Sequence, residues 1–277
     1  MAEPRIQYAR TNDGVNIAFA VWGDGTPLIY LPGAYGLGVH YYSELPYSRG
    51  NVDDLVARGF RVVRYDSRGT GSSDRDNLDF SLGAEMRDLE AVIERVGFER
   101  FVLVGHFDSS RAAIAYAVRR PERVSHLVLR DPLVSQADLE AVLPGNAIVR
   151  AMLPFASVQW ELVSLNAAAL GFGFADLEVA RQFATAIRSG LSVEAFVEYY
   201  GSSLGGLDAA EVNSLLSSVP VPTLVVADRG FPGRESLPHA APVWSAPMRR
   251  IAAAIPDARL EATANFAAAV AAFVHGD

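Results

Sequence analysis

The chain has 277 residues, is half hydrophobic and carries a net charge of −8. That size suits one large domain, or one domain with an inserted subdomain, and the 10% aromatic content argues against disorder. The acidic balance with no basic cluster argues against nucleic acid and anionic membrane as partners; the lack of cysteine excludes disulfides, thiolate catalysis and Cys-based metal sites.

Residues 4–22 alternate apolar and polar around "NDG", where Asp-Gly supplies the positive φ of a tight turn, so a β-hairpin is expected. "TPLIYLPG" reads as a short strand ending in Pro-Gly. "GFRVVRYD" is a second, followed by the turn "SRGTGSSD". "LGAEMRDLEAVIERVG" has apolar residues at helical spacing and a closing glycine. "RFVLVGH" is a continuous apolar strand of the kind covered on both faces in a parallel sheet, and "HLVLRDP" and "PTLVVAD" are similar. "ARLEAT" supplies a last strand and "ANFAAAVAAFV" a last helix.

Strands alternating with helices predict an α/β fold: a mainly parallel, doubly wound sheet with right-handed crossovers. Residues 134–218 contain helical patterns and no strand, and so read as an inserted helical cap. The sheet-forming core is then 1–133 and 219–277. Ligands of such sheets bind outside the carboxyl ends of the strands, so the loops after Leu31, Asp66, His106, Asp131, Val226 and Ala262 should ring the site. The first residues lack the apolar core of a signal peptide and no stretch reaches the ~18 apolar residues of a membrane span, which points to a cytoplasmic protein.

"YDSRGTGSSD", "VGH" and "RRPERVSHLVLRDP" together resemble the α/β-hydrolase family, over residues 4–132 and 219–275. The opening "RIQYARTNDGVNIAFAVWGDG" is similar to the subgroup joined to adenylate cyclase or regulator domains. The resemblance implies a Ser, Cys or Asp nucleophile on a strained strand-to-helix turn written G-x-S-x-G. Here the turn reads Gly105-His106-Phe107-Asp108-Ser109. Phe107 falls at the nucleophile position and Ser109 at the last glycine. Asp228 lies near the position implied for the acid but one or two residues early. The histidine-bearing loop before the last helix is absent, whereas "ADRGFPGRESLPHAAPVWSAPM" is lengthened.

Losing a whole triad costs on the order of 10⁶ in kcat, so Ser-His-Asp hydrolysis is not expected. Asp108 reads as an acid–base group on the pocket floor or as a helix cap, and as a nucleophile only if the turn shifts by one residue. His239, in the lengthened loop, is either a replacement base or a solvated histidine. The N–H groups of Ala34 and Asp108 fall where the family builds its oxyanion hole. Tyr35, Phe107, Trp160, Tyr199, Tyr200 and Trp244 would line an apolar pocket, or serve as core.

The resulting expectation is a non-hydrolytic enzyme steering a cyclisation, rearrangement, elimination or coupling of an apolar small molecule, in a biosynthetic setting. The alternative is a catalytically silent ligand-binding, sensor or scaffold protein. No cofactor and no metal are expected, and a homodimer is left open as the assembly.

Overall fold

The computed structural model describes residues 5–142, 145–171, 176–202, 209–229 and 240–276. Eight strands form one sheet: β1 (Gln7–Arg10), β2 (Asn16–Trp22), β3 (Thr26–Tyr30), β4 (Phe60–Tyr65), β5 (Phe101–His106), β6 (Val124–Arg130), β7 (Thr223–Asp228) and β8 (Arg259–Thr263). Their spatial order is β1-β2-β4-β3-β5-β6-β7-β8. β1 and β2 form the hairpin predicted around Asp13-Gly14, β2 pairs antiparallel with β4, and all the remaining pairs are parallel.

The central parallel strands β5, β6 and β7 are largely buried because helices cover both faces, which is why their sequences read as mostly apolar runs, whereas the edge strand β8 is exposed. One face carries α3 (Leu82–Val96) and α4 (Ser110–Arg119); the other carries α1 (Val39–Glu44), α2 (Pro46–Ala57) and α12 (Phe266–His275). Ser81 caps α3, its side chain accepting from the Ala84 N–H, and Gly97 closes the helix in the left-handed conformation.

Between β6 and β7 the described residues hold only helices: α5 (Gln136–Val142), α6 (Asn146–Met152), α7 (Trp160–Gly171), α8 (Leu177–Gly190), α9 (Val193–Ser202) and α10 (Ala209–Leu216). The segment read as a lengthened loop differs from expectation in its second half, which is α11 (Ala240–Ala254). Pro247 lies inside that helix, and proline ordinarily ends a helix, which hid it in the sequence. Among the described residues no helix is long and apolar enough to cross a membrane.

Candidate functional site

Between β5 and α4 the chain reverses over three residues. Phe107 sits at the tip with φ 53°, a conformation that a Cβ disfavours. The turn is closed from both sides. The Ser109 hydroxyl donates to the His106 carbonyl and accepts from the His106 N–H, both at 3.0 Å. The Leu133 N–H donates to the Phe107 carbonyl at 3.0 Å. Ser109 thus stabilises a turn whose last position the family fills with glycine. Gly105 is required, because a Cβ there would stand 2.8 Å from the Ser110 Cα.

The turn after β3 packs against this one, and a Cβ on Gly33 would stand 2.9 Å from the His106 ring. Ala34 heads that turn, so the backbones of Ala34 and Asp108 are on facing loops. Tyr35 follows at φ 66°, with its ring under α9: it stacks on Phe196 at 5.5 Å, and its hydroxyl meets that of Tyr200 at 3.1 Å.

Asp108 is 2% exposed, and its carboxylate accepts a hydrogen bond from the Tyr199 hydroxyl. Phe107 stacks on His106 with centroids 4.1 Å apart. An apolar cavity of about 140 Å³ opens above them, lined by Tyr35, Phe107, Asp108 and Tyr200 and continuing to Arg64 and Arg130. Burial, with the Asp108 charge nearby, pushes the Tyr200 phenol up to about 12; burial also raises Tyr35 and Tyr41. These phenols are therefore protonated donors at neutral pH.

The far wall of the cavity was not foreseen. Arg130 donates to Asp228 through Nε at 3.0 Å and through Nη2, and to the Tyr30 hydroxyl at 2.8 Å and the Tyr47 hydroxyl. Asp228 closes β7, and its carboxylate is ion-paired with Arg130. Arg64 on β4 donates to Ser48 Oγ at 2.7 Å and lies over the Tyr30 ring. The available signal was an arginine near the carboxyl end of each of the runs "FRVVRY" and "HLVLRDP".

Of the residues expected at the site, Tyr35, Phe107, Asp108 and Tyr200 line one cavity. Tyr199 reaches it through Asp108. Trp160 stands one ring back, edge-on to Phe196 at 4.8 Å and outside the cavity lining. His239 lies outside the described residues; Trp244 falls on α11, and its side chain is outside them too. β8 joins α12 through Ala264 and Asn265 alone. Of the histidines at 40, 106, 126 and 275, only His106 lines the cavity.

A strained tip after the central strand of a mainly parallel sheet, under a helical insertion, defines an α/β-hydrolase fold, and this chain has that fold. The family model described as alpha/beta hydrolase fold matches residues 26–157. Epoxide hydrolase 3 of Xenopus tropicalis is 32% identical over 126 residues, 44% of this chain and 32% of that protein. A 2-hydroxy-6-oxononadienedioate/2-hydroxy-6-oxononatrienedioate hydrolase of Paraburkholderia phymatum is 34% identical over 128 residues, 46% of this chain and 40% of its own length. The chain therefore spans well under half the length of these curated relatives. A hydrolase from Pseudomonas aeruginosa PA01 superposes with a TM-score of 0.70 at 21% identity, covering 98% of this chain and 97% of the other.

These comparisons overturn one expectation. Most of the similar proteins are named for hydrolysis, a proline iminopeptidase of Neisseria gonorrhoeae among them. The non-hydrolytic catalyst of cyclisation or coupling, and its alternative, the silent scaffold, are withdrawn.

Proposed function

We propose that the protein is a hydrolase of a small, largely apolar substrate, with Asp108 as the general base that activates a water molecule. The reading rests above all on the buried Asp108 carboxylate, which faces an apolar cavity and is held by Tyr199. The hydrolase names of the relatives support it. Phe107 offers no atom that can attack, so we read the elbow as lacking the family's nucleophile and the attack as water's.

Asp108 takes a proton from a water molecule whose oxygen adds to the electrophilic carbon. The Tyr35–Tyr200 hydroxyl pair donates to the oxygen that gains charge. The proton held by Asp108 passes to the departing oxygen as the bond breaks, which restores the carboxylate. Stacked Phe107 and His106 give the site a flat apolar floor. Residues 134–218 would act as a cap over a core formed by 1–133 and 219–277. No cofactor enters this scheme.

General-base catalysis is worth ~10²–10⁴ in rate, so Asp108→Asn should lower kcat/KM at least ~100-fold with an unchanged unfolding midpoint. The assay is incorporation of ¹⁸O from labelled water into the products of phenyl acetate and styrene oxide. Full activity in Asp108→Asn, or no labelled product with wild-type protein, would remove the proposal.

A further inference from the structure

Arg64 and Arg130 both line the cavity and both are buried, at 5% and 2% exposure, yet they are supplied differently. Arg130 has the Asp228 carboxylate and two phenols. Arg64 has one hydroxyl, Ser48, and the face of Tyr30. Its Nε has no hydrogen-bond partner, and among the described residues no carboxylate lies within ion-pair distance. The nearest acidic influence is Asp66, two residues along. That carboxylate is already used by the N–H groups of Gly38, His40 and Ser72, at 2.9–3.0 Å.

A guanidinium stays charged even when buried, and leaving a buried charge uncompensated is strongly unfavourable. Folds keep such a charge where something else neutralises it. Here the open direction is the cavity, where Ser48 and Asn51 stand beside Arg64 as further polar groups. Tyr41, Asp108 and Arg64 line the same cavity, so the two charges address one enclosed space.

We infer that Arg64 is a recognition site for a carboxylate carried by the substrate in addition to the bond that is cut. The inference deepens the hydrolase reading and rests on it for the word substrate; the binding itself does not. The substrate is then an apolar acid, its carboxylate on the free edge of Arg64 and its scissile group over Asp108. Charge-assisted hydrogen bonds of this kind are short and strong, and a neutral isostere cannot make them.

The experiment is titration calorimetry with hexanoate and hexanamide, which have the same chain length and nothing to hydrolyse. Wild-type protein should bind the acid at least 10-fold more tightly than the amide. Arg64→Met should erase that preference by weakening the acid alone, with the amide unchanged within about 2-fold. If Arg64→Met does not fold, Arg64→Lys should keep the sign of the preference and reduce its size. Equal binding of acid and amide by wild-type protein, binding of neither, or an intact preference in Arg64→Met would overturn the assignment. Failure of the Asp108→Asn test would leave the acid preference in place, so the two readings fall separately.

Discussion

Phe107 holds a left-handed backbone that costs a β-carbon residue on the order of 1–3 kcal/mol, met here by Ser109 and Leu133 hydrogen bonds on both sides of the tip. The turn is therefore kept although the side chain at its tip cannot react. Asp228 is bound to Arg130, and the β8–α12 connection carries no histidine. Phe107→Ser should accordingly give no adduct with a fluorophosphonate probe, read as intact mass, because among the described residues no histidine stands on the β8–α12 connection to take the serine proton. A stoichiometric adduct would mean that a base reaches the tip after all. Asp108, one residue on, needs no such base, being itself the acceptor.

The shortened passage from β8 to α12 also shows how an element is started with few residues. Asn265 caps α12, its side chain accepting from the Ala268 N–H at 3.0 Å, and Gly276 ends the helix in the left-handed conformation. Asn265→Ala should cost about 1 kcal/mol in urea unfolding without changing the slope, since the cap adds a hydrogen bond and little buried area. This junction was legible in "ATANF", as were the parallel strands in their apolar runs and the turn at Gly105–Ser109. Less was legible where one residue obeys two rules. α2 lacks a strong apolar stripe, and Pro247 concealed α11. Arg64 and Arg130 interrupt apolar runs in a way that equally describes a strand end facing water; only the tertiary fold turns them onto one cavity. The site is thus half readable. The elbow is a local motif, whereas the cationic wall is assembled from strands and helices distant in sequence.

Across the whole molecule, buried ion pairs tie the hairpin, the sheet and the helices together, and their titration sets how stability changes with pH. Arg68 joins Asp13 of the hairpin turn to Asp88 of α3 at 2.8 and 2.7 Å. The Arg68 hydrogen bond holds Asp13 far below the usual carboxylate range, so the stability Asp13 contributes is present above that range and is lost as acid protonates it. Glu85 works in the opposite direction. Burial pushes it from 4.5 up to about 7, against the pull of Arg111 at 3.2 Å and with the Asp108 and Asp88 charges adding to the rise. Between pH 4.5 and 7 the folded chain therefore binds more protons at this residue than the unfolded chain does, and the linkage relation makes stability fall as pH rises through that window. The Glu85 side chain keeps 16% exposure, so the loss should be on the order of 1 kcal/mol, less than full burial would give. Glu85→Gln, which stays neutral, should flatten the decline between pH 5 and pH 7 in urea midpoints, while leaving the acid-side loss that Asp13 governs. An identical slope in the two proteins would show that Glu85 is ionised throughout, with Arg111 outweighing its burial.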